Sequence, residues 1–270
     1  MNPLRMVNCG LRIETGWIKS AIHNLKFAIL IIGAILPAAM SAQQWPQHSM
    51  DRPRPPVVDP GGGPERPPAP APSDAIVLFD GSNLSRWRAQ DSSAAKWIVK
   101  DGYVEVKPGT GMLVSAQPFG DVQLHIEWRA PTPPQGEGQE RGNSGIFLMG
   151  IYELQVLDSY QNDTYPDGQA GAIYGENPPL VNASRPPGQW QAYDIVFRRP
   201  HFKADGSLER PARMTVFLNG VLIQDNFELV GPTANKARPP YSAHPDKLPL
   251  KLQDHGNPMR YRDIWIRELE

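Results

Sequence analysis

Three alternating stretches carry titratable or amide side chains two residues apart. His125 and Glu127 share one face of the run 122–129 with Gln123 and Arg129, while Val122, Leu124, Ile126 and Trp128 share the other. Glu153 and Gln155 lie opposite Leu154 and Val156, and Gln253 and His255 lie opposite Leu250 and Leu252. Successive side chains of a strand point to opposite faces, so each polar pair projects away from an apolar face. If these strands are neighbours, two histidines and two glutamates meet on one surface, a set suited to moving protons. The alternative is a solvated sheet face, which every sandwich has.

Asp158 stands five residues after Glu153, an odd spacing that puts the two on opposite faces of a regular strand. They are therefore not the paired carboxylates of an ordinary glycosidase, which must flank one bond. Asp158 instead opens a loop, ending at Tyr174, that is rich in Asn, Asp, Tyr and Gly. Such loops suit sugar recognition through stacking and hydrogen bonds. Their oxygen atoms could also hold a divalent cation, although the Asp-x-Asp spacing of an EF-hand is missing. Arg141-Gly-Asn-Ser-Gly145 precedes an apolar run; Arg141 could stabilise an oxyanion, or the segment is simply a turn. Ser144 lacks the Gly-x-Ser-x-Gly setting of a nucleophile elbow, and no phosphate-cradling glycine loop occurs. His255 sits between Asp254 and Gly256 at a strand end, with Arg260-Tyr-Arg262 close behind.

The elements that would position these groups are strands. Period-2 alternation recurs in 122–129, 152–156, 191–197, 212–218, 248–253 and 263–267, with Gly, Pro, Asn and Asp clusters between. No sustained helical period is present. This pattern predicts an all-β fold, an antiparallel sandwich or jelly roll. Asn219-Gly220 separates two strand-like runs and reads as a tight hairpin turn.

The 270 residues include 24 Gly and 30 Pro, with 27 Lys plus Arg against 28 Asp plus Glu. The balanced charge excludes the basic stripe of a nucleic-acid-binding protein. The ten-residue apolar run 27–36 is too short to span a bilayer, which takes roughly 20 residues. Lys19 and Lys26 precede it and Pro37-Ala-Ala-Met-Ser-Ala42 follows. This is the order of a secretory signal peptide, predicted over 1–42, with export to the periplasm or beyond and no membrane span after its removal. Cys9, the sole cysteine, falls in that segment, which excludes disulfide scaffolds and cysteine chemistry in the mature chain. Residues 43–73 are Pro-rich and poor in large apolar groups, predicting a disordered linker. Residues 74–270 form the single folded domain, ample for one core.

Taken in order, several motifs resemble one bacterial family. They are Phe79-Asp-Gly-Ser-Asn-Leu84 with Trp87, Trp97 with Asp101-Gly102, Leu124-x-x-Glu127-Trp128-Arg129, and Gly142-Asn-Ser-Gly-Ile-Phe147. Tyr152-Glu-Leu-Gln-Val-Leu-Asp158, Gly171-Ala-Ile-Tyr174, Trp190-x-x-Tyr193-Asp194, Asn219-Gly-Val221 and Leu252-Gln-Asp-His-Gly256 follow. Arg262-Asp-Ile-Trp265 closes the series, with Asp263 where the family usually has Asn. The chain resembles the 3-keto-disaccharide hydrolase domain family from about Ile76 to Leu269. The resemblance implies a concanavalin-like jelly-roll sandwich, export, and cleavage of disaccharides or glycosides oxidised at carbon 3. A 3-keto group acidifies the proton on carbon 2, so elimination of the carbon-1 substituent followed by hydration gives net hydrolysis. That route needs a base, an enolate stabiliser and an acid. Glu153 or His255 is the expected base, Arg141 or a divalent cation the stabiliser, and Tyr174 or Glu127 the acid. His125, Asn143, Gln155, Asp158, Gln253 and Arg262 are the expected substrate contacts. The rival readings are a non-catalytic carbohydrate-binding module and a structural surface protein displayed on its Pro-rich spacer.

Overall fold

The computed structural model describes residues 45–62 and 70–270. The expected signal segment 1–42 and residues 43–44 and 63–69 of the expected linker lie outside the described residues. Among the described residues, apart from two 3₁₀ turns, Gly138–Glu140 and Pro166–Gly168, the regular structure is all strand. In chain order the strands are β1 (Ile76–Phe79), β2 (Trp87–Ala89), β3 (Ile98–Lys100), β4 (Tyr103–Glu105), β5 (Leu113–Phe119), β6 (Val122–Arg129) and β7 (Ser144–Leu148). There follow β8 (Tyr152–Val156), β9 (Gln191–Arg198), β10 (His201–Phe202), β11 (Leu208–Arg210), β12 (Arg213–Leu218), β13 (Val221–Glu228), β14 (Leu248–Leu252) and β15 (Arg260–Glu268).

Two antiparallel sheets share the core. The larger runs β13-β12-β9-β6-β15-β4-β3, with β1 also paired to β15; the smaller runs β2-β5-β14-β7-β8. Alternation decides the layering, as expected for stacked antiparallel sheets. Leu124, Ile126 and Trp128 of β6 enter the same buried cluster as Leu154 and Val156 of β8 and Leu250 and Leu252 of β14. His125 and Glu127 therefore emerge on the outer face of the larger sheet, and Glu153, Gln155 and Gln253 on the outer face of the smaller one. β12 and β13 are joined by Asn219-Gly220 alone, both at positive φ (56° and 82°), the twist-matched two-residue turn expected from the sequence.

A bulge preserves the alternation of β15. Arg262 pairs with Glu127 and Trp265 with His125, so two residues stand opposite Ile126. Asp263 takes the extra place at φ 47°, a left-handed conformation that Asp and Asn tolerate best among residues with a side chain. Its carboxylate thereby turns to the outer face while Ile264 and Ile266 stay in the core.

Buried tyrosine hydroxyls tie the two layers together beneath the smaller sheet. Tyr193 on β9 donates to Gln155 O at 2.9 Å. Tyr261 on β15 donates to Ser144 Oγ at 2.6 Å, and Ser144 Oγ donates to Gln253 O at 2.6 Å. Polar groups so deep in a core must be paired.

The linker expected over 43–73 differs from the structure in its first part. Trp45–Gly62 is laid against the domain: Val57 bridges Asn182, and Val58 N–H donates to Asn182 O at 3.0 Å. Composition underestimates order here because the stabilising contacts are backbone hydrogen bonds and Arg and His side chains, not buried aliphatics.

Replacing Tyr261 with Phe should lower stability by about 1–2 kcal/mol, read as a reduced urea midpoint at unchanged slope. A variant as stable as the parent would contradict the role given to this relay.

Candidate active site

On the outer face of the smaller sheet, β8, β7 and β14 lie side by side, with Phe147 opposite Glu153, Gly145 opposite Gln155 and Lys251 opposite Phe147. Gln253 N–H continues the pairing to Gly145 O at 2.9 Å. This register is what gathers residues far apart in sequence. Asn143, Phe147, Glu153, Gln155 and Gln253, with His255 just beyond β14, line one cavity of about 260 Å³.

Two loops raise its other walls. The chain at 171–174 runs along the free edge of β8: Gly171 N–H donates to Gln155 O, Gln155 N–H to Ala172 O and Tyr174 N–H to Glu153 O. This covers an otherwise exposed strand edge and delivers Tyr174 to the cavity. The second loop supplies Thr233, Ala234 and Asn235; Thr233 Oγ1 accepts from Glu153 N–H at 2.9 Å and Thr233 N–H donates to Ile151 O.

Glu153 is the chemically distinctive group. The residue is only 5% exposed, and among the described residues no donor bonds its carboxyl. Burial alone pushes its pKa up to about 8. Gly145 makes room for it, since a Cβ there would overlap Glu153 Oε1. The neighbouring amides are anchored: Gln155 Nε2 donates to Asn143 Oδ1 at 3.1 Å, and Asn143 Nδ2 donates to Gln139 O at 2.7 Å. The Tyr174 hydroxyl lies 3.0 Å from that of Tyr165, and burial raises the Tyr174 pKa against the lowering effect of that bond. Gln253 also lines the cavity, and its Oε1 is buried without a partner among the described residues. Asp254 braces the turn that carries His255, accepting from Thr110, Gly111 and Gly256 N–H.

Five of the sequence-predicted residues stand elsewhere. Arg141 Nε donates to Asp158 Oδ2 at 2.7 Å and Arg141 Nη2 to Tyr160 O at 2.6 Å, beside a separate, smaller hollow. Gly142, at φ 59°, breaks the alternation between Arg141 and Asn143. Arg141 is thus a loop brace set apart from the cavity that Glu153 faces, not placed to stabilise an enolate there, and Asp158, its buried partner, does not line that cavity. His125, Glu127 and Arg262 lie across the sandwich on the larger sheet. Alternation assigned them correctly to an outer face but does not say which sheet's. There Glu127 Oε2 accepts from Arg262 Nε at 2.5 Å, and His125 bridges Asp194 (2.7 Å) and Asp263 (3.4 Å). Burial opposes charge on His125, but the hydrogen bonds to both aspartates outweigh it and push its pKa up to about 9.

His125, Glu127 and Asp263 offer ligand atoms within 4.8 Å of one another, the one such group among the described residues. Their charges are already balanced by Arg262 and the protonated imidazole, so the donor set suits a closed ion-pair network better than a cation. The wall from 233–235 went unread in the sequence; the Gly231-Pro-Thr-Ala-Asn235 turn chemistry was its only signal.

The sequence profile of the 3-keto-alpha-glucoside-1,2-lyase-like domain matches residues 74–267. The chain belongs to this family. A candidate glycosyl hydrolase from Parabacteroides distasonis ATCC 8503, known from a 2.13 Å crystal structure, is 49% identical with a TM-score of 0.72; the match covers 74% of this chain and 85% of that one. Two further candidate glycosyl hydrolases of the same organism share the fold at 19% and 18% identity, with TM-scores of 0.53 and 0.51. They cover 73% and 72% of this chain and 94% and 99% of theirs. A comparison with curated proteins finds no match. The lyase-like domain thus spans the whole sandwich, from just before β1 to within β15, and leaves Trp45–Gly62 outside the matched residues.

Because the folded state raises the Glu153 pKa, it holds a proton that the unfolded chain has released between the ordinary carboxylate range and about pH 8. Stability from this group is full below the unfolded pKa and lost as pH rises through the folded one. Glu153→Gln should therefore gain on the parent by a few kcal/mol between about pH 5 and pH 8 and hold level above. Parallel stability curves over that window would contradict the desolvation.

Proposed function

We propose that this cavity binds a sugar ring oxidised at carbon 3 and eliminates its glycosidic substituent across carbons 1 and 2. The observation that carries the reading is the desolvated Glu153 carboxyl facing a cavity shared with His255, Tyr174 and an unpartnered Gln253. A base is most effective when its pKa lies near the working pH, and a value of about 8 meets that condition. The family's description as lyase-like supports the same bond change. The cavity, at about 260 Å³, is smaller than a drug-sized site and suits one ring.

In this mechanism ionised Glu153 takes the carbon-2 proton, which the neighbouring ketone acidifies. The electron pair moves onto the ketone oxygen as an enolate. Amide donors of Gln253 and Asn235 replace Arg141 in stabilising that oxygen. The enolate then collapses, forming the carbon-1 to carbon-2 double bond and expelling the glycosidic oxygen, which takes a proton from His255 or Tyr174. Addition of water across the double bond returns a 3-keto sugar, so the net change is hydrolysis and no redox partner is consumed. Phe147 gives the ring an apolar face to pack on.

The wider setting is a carbohydrate-acting hydrolase that is exported, the latter resting on the order of charged, apolar and small residues in 1–42. The aromatic and amide lining also suits a binding module without turnover, and the same experiment separates the two. With a chromogenic 3-keto-glucoside, kcat should rise with pH through a midpoint near pH 8 to a plateau above it, and Glu153→Gln should lower it by about 10²–10⁴-fold. Binding without product release would favour the module. Full activity in Glu153→Gln would remove Glu153 from the reaction.

A further inference from the structure

The segment that composition marks as a spacer contacts the two loops that raise the cavity walls. Gln47 Nε2 donates to Ala234 O at 3.1 Å and to Ala237 O at 3.4 Å, pinning the loop that carries Thr233, Ala234 and Asn235. The same amide fills the space above Gly175, where any Cβ would collide with it. Gly175 is at φ 72°, so backbone and space both call for glycine there. Arg238 Nη2 reaches both Trp45 O and Gly175 O at 3.4 Å, closing the seam. The His48 ring stacks on Tyr165 with centroids 4.1 Å apart and planes 18° apart, and lies 5.2 Å from Tyr174.

A second coupling runs through Asp167, which is wholly buried. His48 N–H donates to Asp167 Oδ2 at 3.0 Å, and the Arg52 guanidinium lies 4.0 Å from the same oxygen. Asp167 Oδ1 has no partner among the described residues. A buried carboxylate stripped of its donors is strongly unfavourable, so the strap and the loop from Asp158 to Tyr174 are energetically joined. A passive tether needs none of these contacts. Burial lowers the pKa of the His48 imidazole, Asp167 opposing and Lys236 adding to the effect, so the ring stacks in its neutral form.

We propose that the strap Trp45–Arg52, although it lies outside the residues matched to the family, buttresses two walls of the cavity from behind, with His48 as a positioning residue for Tyr174. The ring of His48 fixes Tyr165, the Tyr165 hydroxyl holds that of Tyr174, and Tyr174 is thereby set against the cavity that Glu153 faces. The catalytic part of this inference rests on the keto-glycoside reading above; the structural part does not.

The test uses the full chain with His48→Ala, His48→Phe and Gln47→Ala. Two readouts are taken: turnover of a chromogenic 3-keto-glucoside, and hydrogen exchange of peptides covering 165–175 and 233–238 without substrate. His48→Ala should lower kcat/KM by about tenfold or more through misplacement of the tyrosine pair, while His48→Phe, which keeps a stacking ring, recovers most of the loss. Exchange should quicken in both loops for His48→Ala and in 233–238 for Gln47→Ala. Unchanged exchange in both loops, or equal losses of turnover in His48→Ala and His48→Phe, would overturn the proposal. If the parent chain leaves the keto-glucoside intact, the reading of the reaction fails, and exchange alone decides the strap. Should His48→Ala not fold, Gln47→Ala carries the same decision through the second loop.

Discussion

The site depends on keeping the carboxyl of Glu153 away from water and from hydrogen-bond donors. A lone buried acid is unfavourable for folding, and the surroundings show how the fold sustains it. Gly145 on the neighbouring strand leaves a hollow in which the carboxyl rests. The chain at 171–174 seals the strand edge, and the amides of Gln155 and Asn143 are committed to each other and to Gln139 O. The energetic cost falls most heavily on the ionised form, which is how burial lifts the pKa of this carboxyl toward 8.

The two outer faces of the sandwich solve the problem of charge in opposite ways. On the larger sheet, carboxylates and cations neutralise one another: Glu127 with Arg262, and Asp194 and Asp263 with His125. Arg262 and Arg129 also lie over the ring of Trp190, at 4.2 and 4.5 Å. Each of these carboxylates has a cationic partner close by, and such networks rigidify a surface. On the smaller sheet Glu153 has no such partner. That contrast, more than the number of acids on either face, distinguishes the two surfaces.

The sequence was most legible where chemistry and periodicity coincide. The alternation of 122–129 and 152–156 predicted β6 and β8 over the residues observed, and it put Glu153, Gln155, Gln253 and His255 on outer faces as found. Strands such as β5, with Ser115, Gln117 and Pro118 in its length, lack that signature because neighbours rather than pattern hold them. The assignment of His125, Glu127 and Arg262 to the same surface as Glu153 failed for a physical reason: period 2 distinguishes in from out, while sheet membership is set by long-range pairing. Arg141 failed because one left-handed glycine redirected the chain. The strap was illegible because its order comes from docking on loops that themselves have no periodic pattern.

The most direct test of the account is the titration of Glu153 itself. With glutamate labelled at the carboxyl carbon, the resonance absent from Glu153→Gln can be followed by NMR as pH is raised. The account predicts a midpoint near 8. A midpoint in the ordinary range for a solvated glutamate, about 4.3, would mean that the carboxyl is hydrated, and the proposed base would lose its physical foundation.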